Sequence, residues 1–215
     1  MYQFVSGPLV WIAFIGFFAG SLYKVIAMAR LAKRERVVLP TFDAKHGARS
    51  LLHWVVPFAS NNMRARPLYT LLSYVFHLCV VLTPLFVMGH AILWQTSWGV
   101  RWWSLPGPVA DIMTLVVIVA CCVFMVRRLV RTEVRNVTYS SDFLLALVAM
   151  APFLTGFVAH RQWLPYQPML IAHIISGVVF LLVIPWTRLV HMIWFTFTRA
   201  YMGSEFGAVR HARDW

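Results

Sequence analysis

The sequence predicts an all-α, multi-pass membrane protein of five transmembrane helices. Three observations predict it: five long apolar runs, almost no charge inside them, and basic residues gathered in alternate connections between them. Apolar residues make up 60% of the 215-residue chain, charged residues only 12%, and mean hydropathy is +0.72. A soluble domain lies nearer about 45–50% apolar and about 25% charged. The surplus of apolar side chains points to lipid as the solvent of the runs.

Span 1 is expected over about Leu9–Ala29, with Lys24 able to snorkel toward an interface. Span 2 is expected over about Leu68–Trp94, span 3 over Val109–Val126 and span 4 over Phe143–Ala159. Span 5 runs from about Met169 to Phe197, interrupted only by His173, Arg188 and His191. At a rise of about 1.5 Å per residue each crosses a hydrocarbon layer of about 30 Å. The first run has no basic stretch before it and no small-residue cleavage signature, so it is expected to stay as a span.

The formal charge of +12 does not signify nucleic-acid binding, because the cations follow the connections. Arg30, Lys33, Arg34, Arg36, Lys45, Arg49, Arg64 and Arg66 lie between spans 1 and 2; Arg127, Arg128, Arg131 and Arg135 lie between spans 3 and 4; Arg199, Arg210 and Arg213 follow span 5. The other two connections hold only Arg101 and Arg161. The positive-inside rule then puts the N-terminus outside and the C-terminus in the cytoplasm of a bacterial or archaeal inner membrane. The chain reads as a single domain over 1–215 with a cytoplasmic loop at about 30–67. Within that loop Leu51–Ala59 is apolar but too short to cross, as in an interfacial helix or a docking surface. Trp94, Trp98, Trp102 and Trp103 gather at the far end of span 2, as in an aromatic belt or a wall for a quinone ring. Cys79, Cys121 and Cys122 form no CxxC and are expected as buried, small hydrophobes.

Spans 2 and 5 carry two histidines each: His77 and His90, and His173 and His191. Ionisable groups at membrane depth are costly, and these four are expected to be buried toward the bundle interior. Pairs of neutral imidazoles suit two b-type haems, whose iron takes an imidazole on each face. Antiparallel travel of spans 2 and 5 matches His90 with His173 outside and His77 with His191 inside. His173 and His191 are 18 residues apart, about five turns of an ideal helix and therefore on one face. His77 and His90 are 13 apart, about 140° out of phase, with an axial separation of about 20 Å against about 27 Å for the other pair. Pro84 and Pro185 are the residues expected to bend the helices and absorb this mismatch. Arg188, three residues before His191, is expected near the carboxylates of the inner haem, and His160 and Arg161 near those of the outer one.

These residues carry a family resemblance. The segment His173–His191, HIISGVVFLLVIPWTRLVH, resembles the last span of the dihaem cytochrome b family typified by the gamma subunit of respiratory nitrate reductase. FHLCVVLTPLFVMGH, holding His77 and His90, is similar to that family's second span, and TYSSDFL with Asp142 to the start of its fourth. The resemblance implies a five-helix haem-binding bundle with two haem b, ligated outside by His90 and His173 and inside by His77 and His191. It implies menaquinone or another quinone as substrate near the outer haem, and electron exchange with a cytoplasmic iron–sulfur subunit. The His77–His90 interval is longer than in the nitrate reductase subunit, and Val109–Ala110 stand where that subunit has a lysine. These departures point to a relative from a transmembrane redox complex of sulfate reducers, with a periplasmic multihaem cytochrome c as a further partner. Asp111, near the outer end of span 3, is the candidate catalytic residue for quinone-linked proton transfer. The alternative from another class is a transporter or a cofactor-free membrane anchor whose histidines bridge helices or relay protons.

Overall fold

The computed structural model describes residues 2–35, 38 and 40–215; Arg36 of the basic connection lies outside them. Every regular element among the described residues is helical. In chain order these are α1 (Tyr2–Ser6), α2 (Pro8–Arg34), α3 (Ala44–Val55), α4 (Asn61–Ala65), α5 (Pro67–Phe86), α6 (Met88–Trp98), α7 (Gly107–Val130), α8 (Thr132–Arg135), α9 (Ser140–Arg161), α10 (Tyr166–Val183) and α11 (His191–Ser204). Five apolar stretches are long enough to cross a membrane: Tyr2–Arg34, Pro67–Phe86, Gly107–Val130, Ser140–Arg161 and Tyr166–Trp186. The protein is a multi-pass membrane protein, as its composition indicates, in keeping with a bacterial inner membrane.

Two of the expected spans are shorter than their apolar runs. Span 2 does not continue to Trp94: α5 ends at Phe86, Val87 is extended (φ −66°, ψ 135°) and α6 begins anew. Pro84 lies inside α5 three residues before the break; it supplies no N–H to Val80 O, and its ring crowds the turn before it. Span 5 does not continue to Phe197: α10 passes into a 3₁₀ turn at Ile184–Trp186, extended Thr187, a second 3₁₀ turn at Arg188–Val190, and then α11. Pro185 lies in the first of these turns. His173 and His191 therefore do not share one continuous helix, and the five-turn argument for a common face does not hold. The bending expected of Pro84 and Pro185 is present in stronger form, as outright breaks.

The chain forms two compact units. The first comprises Met1–Pro8 and Leu72–Phe180. Its core is Cys79 of α5, Val117 and Cys121 of α7 and Phe153 of α9, surrounded by Val75, Phe76, Met113 and Met150. Cys79 and Cys121 behave as the expected small hydrophobes, but Cys122 is exposed. One residue further along a helix turns the side chain by about 100°, away from the face that Cys121 buries. α7 and α9 run antiparallel and are tied at both ends. Asp111 pairs with Arg161 at one end, and at the other Arg128 lies 3.4 Å from Asp142. Asp142 is buried and also accepts the backbone N–H of Tyr139 at 2.9 Å, capping α9 as its position suggests.

The second unit comprises Leu9–Leu71 and Leu181–Trp215. Gly16 and Gly20 of α2 leave room for Leu182, Pro185 and Trp186, and Lys24 places its ammonium 5.4 Å from the Trp186 ring. The first half of the apolar stretch at Leu51–Ala59, Leu51–Val55, closes an amphipathic helix, α3, which starts at Ala44 and docks on α11 of its own chain, while Val56–Ala59 lie beyond its end. Small residues allow the approach: Gly47 faces Ala200, and Gly203 faces Ser50 and His46. Asp214 accepts the Ser50 hydroxyl at 2.6 Å, and Trp215 stacks on His53 at 4.3 Å. Asp43 caps α3 by accepting the His46 backbone N–H at 2.8 Å. That bond, with the His46 ring, holds the Asp43 carboxyl below its ordinary value of 3.8. The cap is complete above that ordinary value and is lost as pH falls through the lowered one.

A methyl group at Gly203 would overlap Ser50 Cβ and stand 2.8 Å from the His46 carbonyl oxygen, whereas one at Gly107 would meet nothing within 4 Å. Gly203→Ala is therefore expected to destabilise the α3–α11 pair by about 1–3 kcal/mol. Thermal unfolding in detergent should show a lower Tm for Gly203→Ala and no comparable loss for Gly107→Ala. Equal midpoints would refute the close packing.

Candidate functional site

The first unit brings two of the four predicted histidines together. His90 lies in the first turn of α6 and His173 in the first half of α10. Their ring centroids are 5.8 Å apart, with 27° between the planes. His90 Nδ1 lies 2.7 Å from the Pro84 carbonyl oxygen and His173 Nδ1 lies 2.8 Å from that of Pro152. A carbonyl only accepts, so each Nδ1 carries the proton and each Nε2 keeps its lone pair. Both acceptors are prolines, one before the Val87 break and one inside α9.

The same relation recurs at the other two histidines. His77 Nδ1 donates to Ser73 O at 2.7 Å, and His191 Nδ1 to Arg188 O at 2.8 Å. His77 belongs to the first unit and His191 to the second. Against the expectation of four buried imidazoles, His77 and His191 are exposed on the protein surface, and His90 and His173 are half-buried. His77 lies on a face of α5 that its own unit leaves uncovered, and His191 lies beyond the fifth crossing stretch, which ends at Trp186. His53 of α3 also donates, to Arg49 O at 2.8 Å, so this bond alone does not define a ligand.

Glycines flank the His90–His173 pair. A Cβ at Gly156 would lie 2.9 Å from His173 Cε1 and Nδ1, so only glycine lets α9 pass so close to the imidazole. At Gly89, beside His90, and at Gly177, one turn beyond His173, a Cβ would meet nothing within 4 Å. Ser176 donates to the His173 carbonyl at 2.8 Å and lies 3.2 Å from the Thr155 hydroxyl, linking α10 to α9.

Arg188 and His191 line one open cavity of about 590 Å³ in the second unit, walled by Trp54, Trp194, Phe195 and Arg199. The Arg199 guanidinium lies 4.3 Å from the Trp54 ring. The aromatic walls and two guanidiniums suit a planar group bearing carboxylates. Trp54, Arg199, Gly156 and Pro152 are site residues that sequence reasoning missed. Only Pro152 left a local sign, a proline inside an apolar run.

Asp111 lies within the second turn of α7 with its side chain 16% exposed, 2.5 Å from Arg161 Nη2 and 3.8 Å from His160 Nε2. His160 and Arg161 thus face a carboxylate of the same chain, and the three form one charged cluster at that end of α7 and α9.

Among the described residues no group of three or more His, Cys, Asp or Glu side chains is placed to hold a metal ion. A bare ion usually needs three or four protein ligands, whereas a macrocycle that brings its own equatorial donors needs two. Two imidazole nitrogens at about 2 Å on opposite sides of one metal put the ring centroids about 6 Å apart. The His90–His173 separation fits that arrangement.

The chain is 34% identical over 218 residues to a protein of Nitratidesulfovibrio vulgaris (strain Hildenborough), the alignment covering 98% of this chain and 95% of that protein. No family model matches the chain. No solved structure matches it.

Gly156→Ala is expected to displace the His173 ring from Pro152 O. In a ¹⁵N spectrum of imidazole-labelled protein the His173 Nδ1–H resonance should shift and exchange faster, while that of His77 stays unchanged. An unaltered His173 resonance would show that Gly156 does not set the ring position.

Proposed function

This chain belongs to the same family as the Nitratidesulfovibrio vulgaris protein. We propose, from its own histidine pairs, that it is a dihaem cytochrome b subunit of a respiratory complex. In this reading it moves electrons across the inner membrane between a quinone pool and partner redox subunits, with its N-terminus outside. The observation that carries the reading is the His90–His173 pair: two imidazoles 5.8 Å apart, each with Nδ1–H donated to a carbonyl. Such a donated proton fixes the tautomer of a ligating histidine and makes its Nε2 a better donor to a metal.

His90 and His173 would hold the outer haem, and the family resemblance assigns His77 and His191 as ligands of the inner one. Arg188 answers the carboxylates of the inner haem from the wall of the cavity that it shares with His191. A bis-histidine haem, when bound, supplies a one-electron centre with no open metal position, which suits electron transfer rather than substrate binding at iron. The quinone ring is met by the chain's own groups. Oxidation of one menaquinol to menaquinone releases two electrons and two protons, and Asp111 is the carboxylate placed to take a proton from the hydroxyl. Arg161 holds the Asp111 side chain in place, and His160, 3.8 Å from the same carboxylate, is the next group in line for the proton. Reduction of quinone with outside electrons runs the same groups in reverse.

A cytoplasmic iron–sulfur subunit and a periplasmic multihaem cytochrome c are the partners this reading requires. The organism of the relative supports the sulfate-reducer type of assembly over nitrate reduction.

The test is a reduced-minus-oxidised optical spectrum of the purified chain after haem-replete expression, which is expected to show b-type bands. His90→Ala and His173→Ala should each remove one and the same haem, and His77→Ala and His191→Ala the other, seen as separate losses in a potentiometric titration. No reducible b-type bands in the unsubstituted chain would leave the anchor or transporter reading in place. Asp111→Asn should keep both haems and slow menaquinol oxidation at least tenfold; an unchanged rate removes Asp111 from proton transfer.

A further inference from the structure

A helix that stops leaves the carbonyls of its last turn without their helical donors, and each is satisfied by another group. The break at Val87 strands those of Pro84, Leu85 and Phe86, whose helical donors would be the N–H groups of Met88, Gly89 and His90. The bond before them, Val87 N–H to Thr83 O, is kept at 2.9 Å. Each stranded carbonyl has a separate donor. The His90 imidazole takes Pro84 at 2.7 Å, the Leu105 backbone N–H takes Phe86 at 2.7 Å, and the Trp102 indole N–H takes Leu85 at 2.9 Å.

We propose that Trp102 is a positioning residue for His90, acting as a strut across the helix break. Its indole is tied on both sides of Val87. The N–H reaches the last turn of α5, and the ring lies 5.3 Å from Trp94 of α6, which packs at 4.0 Å on Trp98. The turn between α6 and the strut is set by Gly99 at φ 69°, a conformation that other residues rarely adopt. The bend between α5 and α6, and with it the Pro84–His90 bond, therefore depends on a connection that contains no histidine. Tryptophans 94, 98 and 102 act here as an internal brace, a role an interfacial belt does not require. The strut stands on the backbone accounting alone; its effect on a redox centre rests on the dihaem reading.

The test is Trp102→Phe in the full chain, which keeps an aromatic ring and removes only the N–H. Loss of one net hydrogen bond of about 1 kcal/mol corresponds to about fivefold faster amide exchange in the braced segment. Hydrogen–deuterium exchange of residues 87–91 should accelerate by about that factor, with residues 112–126 and a Trp103→Phe control unchanged. In haem-loaded protein the outer haem should remain, with a raised midpoint potential and an altered low-spin EPR g value, because a looser Pro84–His90 bond makes the imidazole a weaker donor. Unchanged exchange overturns the strut; faster exchange with an unmoved outer haem overturns the positioning role. Absence of haem from the unsubstituted protein overturns the dihaem reading, and the exchange arm still decides the strut. Should Trp102→Phe fail to fold, the unsubstituted protein gives the answer by NMR: the Trp102 indole proton should exchange more slowly than that of Trp103, and equal rates overturn the proposal.

Discussion

The interruption of a helix, and the donors that replace its missing N–H groups, is the constraint on which this molecule turns. Chains cross lipid as helices because each helix satisfies its own backbone, and any interruption must replace the missing donors. The two interruptions here are closed by side chains that are themselves fixed in the process. At Val87 the donors are His90, Trp102 and Leu105. After Pro185, Thr187 donates its hydroxyl to Val183 O at 2.9 Å, and His191 donates to Arg188 O at 2.8 Å. At the first break a histidine supplies part of the missing hydrogen bonding, and at the second the His191 ring joins its own backbone N–H on the Arg188 carbonyl. The orientation of each ring becomes a by-product of backbone chemistry and needs no separate carboxylate to hold it. An unsatisfied buried carbonyl costs about 1–3 kcal/mol, which is enough to select one tautomer and one rotamer.

The outer pair needs a second fixed body, and α7 and α9 provide it. Their ion pairs at opposite ends, Asp111–Arg161 and Arg128–Asp142, bracket the apolar core at Val117, Cys121 and Phe153. Charge is thereby kept at the ends of the pair, where partners are present, and its core is apolar. α9 then offers two things to α10 within one turn: the Pro152 carbonyl for His173 Nδ1, and the bare Cα of Gly156 against the same ring. His173 is held from the side and from the end by a helix whose own position is pinned twice.

The helical class, the five apolar stretches and the identity of the four histidines were legible in the sequence, because each depends on composition or on residue type. The helix interruptions were legible only as suspects. Pro84 and Pro185 mark where a helix is weak, but whether it bends or stops depends on donors such as Trp102, 18 positions away, whose contact no local pattern announces. The ideal-helix arithmetic for His173 and His191 failed for the same reason. Gly156 was invisible because its role lies in the His173 ring opposite it. α3 was visible as an apolar patch, yet its docking on α11 required the small faces of Gly47 and Gly203, which are far apart in the chain. The burial of His77 and His191 was overstated because a sequence does not tell how few helices surround a span.

The breaks also answer the mismatch that the unbroken pattern posed. On an ideal helix His77 and His90 would point about 140° apart, and no rotamer of one changes the phase of the other. Ending α5 at Phe86 cancels that phase relation: α6 has its own axis, and His90 takes its direction from Pro84 O instead of from His77. The interval between the two histidines then ceases to be a fixed distance and becomes a quantity that the 99–106 connection can adjust. A proline followed within a turn by a break and then a histidine is thus a device for decoupling two side chains on one apolar run. The same order, Pro185, break, His191, occurs on the other run. In both, the histidine after the break takes its ring direction from a nearby backbone carbonyl, Pro84 O for His90 and Arg188 O for His191, and not from the histidine earlier on the same run.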